Sequence, residues 1–262
     1  MADRMKDKVV VVTGGASGMG LGVSQSLAQE GARVVIADLN GVAGESAASA
    51  LRANGHGAIA VRADVSNPED MERVVAEAVR EFGRIDVWFN IAGYNRPMSL
   101  LDVTPENWRS IMDINGLGTL LGIQVAARQF IAQGGGGKII NTSSQGGRQG
   151  FPAHAPYCAS KAAVISLTQA AARGLAIHDI TVNAFAPGIV DTPMWIGLEK
   201  DLVEAGEIAQ SGEGMAAFEK DILRGRVAQV SDIVGTTTYL ASSDSDYLTG
   251  QVVMIDGGMV LV

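Results

Sequence analysis

Short apolar runs alternate along the chain with longer stretches whose apolar residues recur at helical spacing. The first run, Lys8 to Thr13, contains four consecutive valines, which is typical of a strand buried on both faces of a parallel sheet. Similar runs predict six further strands, at 33–37, 58–63, 86–89, 138–142, 180–185 and 251–255. Because helical patterns separate them, the sequence predicts an α/β fold, a Rossmann-like, doubly wound parallel sheet of seven strands with helices on both faces.

Helical segments fill the gaps between these runs. They are predicted from the glycine-rich turn at 14–20 to Gly31, from the region of Tyr157 to Ile177, and at 42–54, 68–82, 105–131 and 232–240, with Ser231 as the N-cap of the last. Residues 194–230 are polar and contain several glycines, with helical pieces at 201–210 and 215–223. This segment is too short for a second domain, so we expect residues 1–262 to form one domain with 194–230 as a substrate loop or lid.

The composition excludes several classes of protein. With 47% hydrophobic residues the 262-residue chain is not disordered, and none of its apolar runs approaches the ~20 residues of a membrane span. A formal net charge of −8 without a Lys/Arg block argues against a nucleic-acid partner. The single cysteine allows no internal disulfide and the N-terminus lacks the apolar region of a signal peptide, so we expect a cytoplasmic protein. His56, His154 and His178 are too scattered to predict a metal site, and His154 is interpreted as a loop histidine rather than a residue at the pocket's border.

The turn after the first strand is rich in glycine. It reads Gly14-Gly15-Ala16-Ser17-Gly18-Met19-Gly20, and glycines there let the backbone turn sharply and approach a pyrophosphate at a helix N-terminus. About 20 residues later the second strand ends in Asp38, whose carboxylate is suited to accept hydrogen bonds from ribose hydroxyls and to repel a 2′-phosphate. No Lys or Arg occurs in the turn or directly after Asp38. The pattern favours NAD as the cofactor, with an Asp that merely opens a turn as the alternative.

One pentapeptide contains the candidate chemistry. In Tyr157-Cys158-Ala159-Ser160-Lys161 a helix would place Tyr157 and Lys161 one turn apart on the same face. An ammonium fixed beside a phenol lowers the phenol's pKa toward the range needed for proton transfer at neutral pH. Ser144, which follows the strand at 138–142, offers a hydroxyl to a carbonyl or alcohol oxygen. Taken alone, the Tyr–Lys pair is equally compatible with an ordinary helix that has a lysine at its surface.

Two further polar residues have both a structural and a functional interpretation. Asn115 precedes a glycine inside a predicted helix, where its helix propensity is poor, and this favours a functional role. Asp64 follows the strand at 58–63 and either caps the following turn or contacts adenine.

Together these motifs resemble the short-chain dehydrogenase/reductase family. The shared residues occur in that family's order and approximate spacing over essentially the whole chain, and they are Thr13-Gly14…Gly18-Met19-Gly20, Asn90-Ile91-Ala92-Gly93, Asn115, Ser144, Tyr157-x-x-x-Lys161 and Pro187-Gly188. The family's usual Asn-Asn-Ala-Gly appears here as Asn90-Ile91-Ala92-Gly93. Because Asn90 keeps its place, we expect this departure to affect a supporting contact and not the chemistry.

The resemblance implies a role for each matching residue. Tyr157 would be the acid/base at the substrate oxygen, with Lys161 lowering its pKa and holding the nicotinamide ribose. Ser144 would hydrogen-bond the same oxygen, and Asn115 would anchor a water relay toward Lys161. The implied contacts of the cofactor are Gly14, Ser17, Gly18, Met19 and Gly20 at the pyrophosphate, Asp38 at the adenosine ribose, Asp64 and Val65 at adenine, Thr192 at the carboxamide, and Asn90, Ala92, Gly93, Tyr157, Lys161, Pro187, Gly188 and Val190 elsewhere along it.

Two stretches, 144–147 and 187–195, resemble the branch of the family that acts on polyols and vicinal diols, such as sorbitol, galactitol and butanediol dehydrogenases. This resemblance implies that Gln145 hydrogen-bonds a second substrate hydroxyl and that Trp195 forms an apolar wall, with ordinary loop packing as the alternative for both. The C-terminal stretch from Tyr247 to Gly258 resembles that of family tetramers, which implies a homotetramer.

The sequence therefore predicts an NAD-dependent oxidoreductase that interconverts a secondary alcohol of a small polyol or vicinal diol with its ketone. A 3-oxoacyl-thioester reductase fits less well, because Asp38 disfavours NADPH and no basic patch is visible for an acyl-carrier partner. A nucleotide-sensing scaffold without activity is disfavoured because Asn115, Ser144, Tyr157 and Lys161 are all present.

Overall fold

The computed structural model of the chain describes residues 3–204, 206 and 208–261. Seven parallel strands form its sheet, in the order β3-β2-β1-β4-β5-β6-β7. The strands are β1 Val9–Thr13, β2 Arg33–Asp38, β3 Ala58–Arg62, β4 Val87–Asn90, β5 Gly137–Thr142, β6 Ile180–Pro187 and β7 Val252–Ile255. Each predicted strand matches one of these with small differences at its ends, so the predicted sheet is confirmed.

Helices cover both faces of the sheet. Within the described residues they are α1 Gly18–Gln29, α2 Gly41–Ala53, α3 Pro68–Phe82, α4 Pro105–Met112, α5 Gly118–Gln133, α6 Ala155–Leu175, α7 Pro193–Glu204, α8 Glu213–Glu219 and α9 Val230–Ala241. None of these helices has the length and apolar character needed to cross a membrane.

The consecutive valines of β1 show how the sheet divides the core into two layers. Val10 and Val12 pack in the layer that contains residues of α1, α2 and α9, while Val9 and Val11 pack in the layer that contains residues of α3, α5 and α6. All four side chains are 0–1% exposed. A strand covered on both faces needs an apolar residue at every position, which is why the run is uninterrupted.

The strand order reverses beside β1. The chain places β2 and β3 on one side of β1, and then returns to place β4 to β7 on the other side. In doubly wound sheets the loops at the carboxyl ends of the strands leave a crevice at such a reversal, and ligands bind there. Most predicted site residues lie in or just after these loops, so the topology gathers them at one edge of the sheet.

The helix predicted at 105–131 is divided into three parts. α4 begins after Thr104, whose hydroxyl oxygen accepts a hydrogen bond from the Asn107 backbone N–H at 3.1 Å. Residues Asp113–Leu117 then form a π-helical turn, closed by the Gly118 N–H on the Asp113 carbonyl oxygen, before α5 starts. Turns of this kind are frequent at functional sites, and this one contains Asn115, which is completely buried.

The prediction for the start of the last helix is wrong by two residues. α9 begins at Val230, and its N-cap is Gln229 rather than Ser231. The Gln229 backbone N–H donates to the Asp232 carboxylate at 2.7 Å, and the Asp232 N–H donates back to the Gln229 side chain. This reciprocal capping box fixes the earlier start.

The segment 194–230 contains two helices whose bounds differ from the predicted pieces. α7 already begins at Pro193, a residue whose fixed φ suits the first position of a helix, and it ends at Glu204. The piece predicted at 201–210 is wrong at 208–210, which are not helical, while Ala205 and Glu207 lie outside the described residues. α8 covers 213–219 in place of the predicted 215–223.

Candidate active site

The turn after β1 is shaped by glycines that a larger residue would disrupt. Gly14 has a φ of +65°, and a Cβ on it would lie 2.8 Å from the Ala92 Cα. A Cβ on Gly20 would lie 2.0 Å from the carbonyl oxygen of Gly14. The turn therefore exposes backbone without side chains to the crevice, as the close approach of a pyrophosphate requires.

The first turn of α1 is open to an anion. Ser17, its N-cap, makes no capping hydrogen bond with its side chain, and the first turn contains no acidic residue. Backbone N–H groups at a helix start have no partner within the helix, and the helix dipole is positive there. A phosphate fits such a terminus without further help.

A cleft of about 1010 Å³, part of it open to solvent, runs along this turn. Its walls come from the loops after β1, β2, β3 and β4 and from the start of α7. The residues lining it include Gly14, Ser17, Gly18, Met19, Gly20, Asp38, Leu39, Asp64, Val65, Ile91, Ala92, Gly93, Tyr94, Ile114 and Thr192. No Lys or Arg lines the cleft in the part of the chain that the structure describes. These walls, the bare turn and the open helix start fit a nicotinamide dinucleotide.

Asp38 has a structural contact besides its place in the cleft. Its Oδ2 accepts a hydrogen bond from the Ala16 N–H at 3.0 Å, and its Oδ1 accepts one from the Asn40 N–H at 2.9 Å. The carboxylate thus ties the glycine-rich turn to the end of β2. The local sequence pattern does not predict this contact, because Ala16 and Asp38 belong to different elements.

Asp64 forms a turn and lines the cleft as well. Its Oδ1 accepts hydrogen bonds from the backbone N–H of Ser66 at 2.9 Å and from the Ser66 hydroxyl at 2.7 Å. This is the turn expected of an Asp in such a place. Because Asp64 and Val65 also belong to the cleft wall, the two interpretations of Asp64 are compatible.

Asn90 does not line the cleft. Its side chain is 4% exposed, its Oδ1 accepts a hydrogen bond from Trp88 Nε1 at 2.8 Å, and its Nδ2 donates to Asn141 Oδ1 at 2.8 Å. A Cβ on Gly122 would lie 2.0 Å from Asn90 Oδ1, so α5 packs directly on this amide. The side chain therefore joins β4, β5 and α5, which does not fit the expectation that it contacts the cofactor.

Thr13 holds the end of β4 against β1. Its hydroxyl donates to the Phe89 carbonyl oxygen at 3.2 Å and accepts from the N–H groups of Ile91 at 3.1 Å and Ala92 at 3.3 Å. The segment after β4 thereby becomes a fixed wall of the cleft.

Tyr157 and Lys161 lie one turn apart on α6. Lys161 is 4% exposed, and its Nζ lies 5.6 Å from the centroid of the Tyr157 ring. The Nζ donates to the Thr142 carbonyl oxygen at 2.8 Å, so the lysine reaches back to the end of β5. An ordinary lysine at the helix surface is therefore excluded.

Burial shifts the pKa values of both groups. It lowers the pKa of Lys161 to about 8, because the ammonium loses its water. It raises the pKa of Tyr157 to about 12, with a hydrogen bond to Ser144 acting in the opposite direction. The sequence analysis predicts a lowered pKa for this phenol, whereas the pKa is raised in the structure, because desolvation outweighs the hydrogen bond to Ser144. At pH 7 Tyr157 is a neutral phenol and Lys161 is mostly charged.

Asn115 clamps the segment after β4. Its Oδ1 accepts a hydrogen bond from the Tyr94 N–H at 2.8 Å, and its Nδ2 donates to the Tyr94 carbonyl oxygen and to Ser160 Oγ, both at 2.9 Å. The Ser160 hydroxyl donates in turn to the Tyr157 carbonyl oxygen at 2.7 Å. The side chain of Asn115 thus positions Tyr94 and the first turns of α6, while its water relay toward Lys161 stays a prediction.

A cavity of about 730 Å³, also partly open, adjoins the cleft. Met19, Thr192 and Met194 line both spaces, so the two are continuous. The other residues that line the cavity include Asn95, Ser144, Gln145, Gly146, Phe151, His154, Tyr157, Pro187, Gly188, Ile189, Val190, Trp195, Leu198 and Phe218. The cavity therefore contains Ser144 and Tyr157 of the predicted catalytic residues and both predicted substrate residues, Gln145 and Trp195, whereas the buried Asn115 and Lys161 do not line it. It also contains residues 187, 188 and 190, which do not line the cleft.

Ser144 and Gln145 lead the chain from β5 into this cavity. Ser144 is 7% exposed, and its Oγ accepts a hydrogen bond from the Gly146 N–H at 3.1 Å, which leaves the hydroxyl hydrogen for another partner. Gln145 is 3% exposed, and its buried Oε1 has no hydrogen-bond partner among the residues described. A buried acceptor without a partner lowers the stability of the protein, so a ligand hydroxyl that donates a hydrogen bond to this oxygen would gain binding free energy.

Aromatic rings form one wall of the cavity. Trp195 packs edge-on against Phe218 with 5.9 Å between ring centroids, and Phe218 packs edge-on against Phe151 at 6.0 Å. The three rings come from α7, α8 and the loop before α6. Of the three rings only Trp195 is predicted from the sequence, because nothing in the local pattern around the two phenylalanines indicates a place in the cavity.

A buried carboxylate joins the two helices of the segment 194–230. Glu199 on α7 is 6% exposed and accepts hydrogen bonds from Ser211 Oγ at 2.9 Å, the Gly212 N–H at 2.9 Å and the Met215 N–H at 3.2 Å. Burial raises the pKa of Glu199, but these hydrogen bonds outweigh burial and the pKa is lowered. α7 and the start of α8 are thereby held together beside the cavity.

His154 borders the cavity, which corrects its interpretation as a loop histidine. Its Nδ1 lies 2.9 Å from Asn95 Nδ2. Burial lowers the pKa of His154 to about 4, so the ring is neutral at pH 7. A signal for its place was available, since His154 precedes Tyr157 by three residues, the spacing of one helical turn. Asn95 has no such signal in the sequence.

Known proteins are similar to this chain over almost its whole length. The family model described as "Enoyl-(Acyl carrier protein) reductase" matches residues 14–260. A diacetyl reductase [(S)-acetoin forming] from Staphylococcus aureus is 42% identical over 255 residues, which are 97% of this chain and 98% of the relative. A galactitol 2-dehydrogenase from Agrobacterium fabrum is 40% identical over 255 residues, with the same coverage. A solved short-chain type dehydrogenase/reductase from Mycobacterium marinum superimposes with a TM-score of 0.88 at 33% identity, covering 98% of this chain and 97% of that one.

The chain belongs to the short-chain dehydrogenase/reductase family. It is an oxidoreductase that acts on CH–OH groups.

Proposed function

We propose that the protein interconverts a secondary alcohol of a small polyol or vicinal diol with its ketone, using NAD. The observation that supports this most strongly is the cavity itself. Ser144 and Tyr157 share it with Gln145, whose Oε1 has no partner in the described part of the chain, and it opens into the dinucleotide cleft.

A bound nicotinamide dinucleotide supplies or accepts the hydride. In ketone reduction the Tyr157 phenol, neutral at pH 7 because its pKa is raised, donates its proton to the substrate oxygen. In alcohol oxidation the same oxygen of Tyr157 takes the proton back. The Ser144 hydroxyl holds the substrate oxygen, and the charged Lys161 stabilises the phenolate that forms after proton donation.

The choice of NAD over NADP depends on the wall of the cleft at the end of β2, which contains Asp38. Gly14–Gly20 would hold the pyrophosphate, and Asp38 would accept hydrogen bonds from the adenosine ribose. A 2′-phosphate at that ribose would meet the Asp38 carboxylate, and no Lys or Arg lines the cleft in the described residues to offset the repulsion.

The substrate class rests on Gln145 and on the relatives. The two relatives above are named for an acetoin-forming reductase and a galactitol dehydrogenase, whose substrates carry a second oxygen beside the reacting carbon. A substrate without that oxygen would leave the buried Gln145 amide unpaired, at a cost of about 1–3 kcal/mol. We therefore expect vicinal diols and polyols to react better than simple secondary alcohols of similar size.

The test compares kcat/KM for 2,3-butanediol, hexitols, 2-butanol and a 3-hydroxyacyl thioester, followed as NADH formation. We expect the diol and polyols to exceed 2-butanol by about 10-fold or more, and Gln145→Leu to narrow this gap mainly by slowing the diol. Equal rates for 2-butanol and 2,3-butanediol would contradict the diol assignment. A preference for the thioester would favour the alternative of a 3-oxoacyl-thioester reductase.

Three further proposals concern the setting of the enzyme. The segment 194–230, in which the hydrogen bonds of Glu199 join α7 to the start of α8, acts as the substrate lid of the single domain.

An apolar groove lies between α5 and α6, and Ile131 in it is 46% exposed. An exposed apolar surface of this kind supports a homotetramer, which a measurement of the molecular mass in solution would test. The single cysteine supports a location in the reducing cytoplasm.

A further inference from the structure

The Asn95–His154 pair is a polar feature of the cavity that the proposed mechanism leaves unused. Asn95 is 8% exposed, and its buried Oδ1 has no hydrogen-bond partner among the residues the structure describes. His154 Nδ1 lies 2.9 Å from Asn95 Nδ2, and no hydrogen bond joins its Nε2 to a described residue. Both residues line the cavity beside Tyr157.

The pair is held in place from several sides. Asn115 clamps the backbone of Tyr94, and Asn107 Nδ2 donates to the Arg96 carbonyl oxygen at 3.1 Å, so both neighbours of Asn95 are fixed. The Met98 N–H also donates to the Ala153 carbonyl oxygen at 3.0 Å, which ties this segment to the residue before His154. A polar pair that is fixed beforehand loses little entropy when a ligand binds.

The hydrogen-bonding capacity of the pair is the same for either orientation of the amide. With Asn95 Nδ2 donating to Nδ1, the neutral ring has its hydrogen on Nε2, and the free groups are Nε2–H and Oδ1. With the amide turned over, Nδ1–H donates to Oδ1, and the free groups are the amide N–H and Nε2. Each case leaves at least one donor and one acceptor. A hydroxyl matches both groups, whereas a carbonyl matches only the donor.

Gln145 and the Asn95–His154 pair enter the cavity from different elements of the fold. Gln145 Oε1 lies toward the loop after β6, since a Cβ on Gly188 would be 3.2 Å from it. Asn95 belongs to the segment after β4, and β5, which leads to Ser144, lies between β4 and β6 in the sheet. A substrate that reaches both amides would have hydroxyls on both sides of the carbon that reacts.

We propose that Asn95 and His154 form a hydroxyl-binding subsite that selects polyols with hydroxyl groups on both sides of the reacting carbon. Such substrates include hexitols oxidised at an internal carbon, whereas 2,3-butanediol has a hydroxyl on one side only. The subsite rests on the proposed function, because it specifies the substrate of the same cavity.

The experiment measures kcat/KM for galactitol and for 2,3-butanediol in wild type, Asn95→Leu, His154→Leu and His154→Gln. We expect both Leu variants to lose about 10- to 100-fold with galactitol, mainly through KM, and less than about threefold with 2,3-butanediol. His154→Gln keeps a donor and an acceptor and should recover much of the loss. His178→Leu, at an exposed histidine beyond the far end of α6, is the matched control and should change neither substrate.

Several outcomes would overturn the subsite. Equal losses for both substrates in Asn95→Leu and His154→Gln would indicate a general structural defect, and an unchanged galactitol rate would show that the pair binds no hydroxyl. A wild type that oxidises 2,3-butanediol but not hexitols would refute the subsite and leave the proposed function intact. A wild type that oxidises neither would refute the proposed function and the subsite with it.

Discussion

The cofactor cleft and the substrate cavity are continuous at Thr192, but they are built in different ways. Backbone forms much of the cleft, through the bare turn at 14–20, the open start of α1 and the ends of the strands. Side chains form the cavity, and they come from segments far apart in the sequence, at Asn95, Gln145, His154, Trp195 and Phe218.

This difference explains why one half of the site can stay constant while the other half changes. A backbone cradle depends on a few glycines and on strand order, and most side-chain substitutions leave it intact. The cavity changes with each side chain that points into it. Relatives about 40% identical to this chain are named for diacetyl reduction and for galactitol oxidation, which fits a constant cleft beside a variable cavity.

Removing the Tyr157 hydroxyl should give the largest effect, because it should greatly reduce catalysis in the cavity and leave cofactor binding in the cleft nearly unchanged. We expect Tyr157→Phe to lower kcat by about 100- to 10,000-fold, because the acid/base at the substrate oxygen is lost while the cleft is untouched. NADH binding, measured by fluorescence titration, should stay within about twofold of wild type. Tyr239→Phe, at a half-exposed tyrosine on α9, is the control. Wild-type turnover in Tyr157→Phe would show that another group moves the proton.

A substitution of Asp38 in the cleft should change the preference for the cofactor and not the preference for the substrate. We expect Asp38→Ser to weaken the preference for NAD over NADP by about 1–3 kcal/mol, since it removes a hydrogen-bond acceptor and a repulsive charge. Affinity for NAD should also fall, because the Ala16 contact is lost.

The measurement is kcat/KM with each cofactor at saturating substrate, together with the KM of the alcohol. Asp38→Asn keeps the shape of the side chain and removes the charge, so it separates repulsion from hydrogen bonding. A wild type that uses both cofactors equally would contradict the assignment of NAD.

The buried lysine should connect activity to stability through pH. Its pKa is lowered to about 8 from an ordinary value of 10.5, so between these values the unfolded chain binds more protons than the folded protein. Stability from this group therefore rises with pH across that window, by about 2 kcal/mol between pH 8 and 10. Raised pKa values at Tyr157 and Cys158 act in the opposite direction, but they are common to wild type and variant.

We expect the Lys161→Met variant to be inactive and more stable than wild type at pH 7. Its stability should not show the increase between pH 8 and 10 that the lysine causes in wild type. Urea denaturation of both proteins at pH 7, 8, 9 and 10 gives their free energies of unfolding, and the difference between the two pH profiles is the contribution of the lysine. Parallel profiles would mean that the ammonium is not desolvated in the folded protein.

The sequence predicts the sheet and the cleft well because local chemistry specifies them. Four consecutive valines indicate a strand buried on both faces, and the spacing from the glycine turn to Asp38 follows from the length of one helix and one strand. These signals depend on neighbours in the chain, which the sequence shows directly.

The cavity is less accessible to sequence reasoning because contacts across the fold define it. Asn95 and His154 are 59 positions apart and meet only in the folded protein. Asn90 belongs to a known motif, yet its side chain turns into the interior to bond Asn141. The raised pKa of Tyr157 is likewise not predictable from the pentapeptide, since desolvation depends on atoms from several elements.

The π-helical turn at Asp113–Leu117 has a consequence for how this enzyme can change over evolution. Such a turn holds one residue more than an α-helical register would, so it behaves as an insertion that the fold has absorbed. Loss of one residue there would return α4 and α5 to a single regular helix and would displace the Asn115 amide from Tyr94. The core faces of both helices would be kept. One deletion would therefore undo the contact between Asn115 and the Tyr94 backbone while the fold is kept.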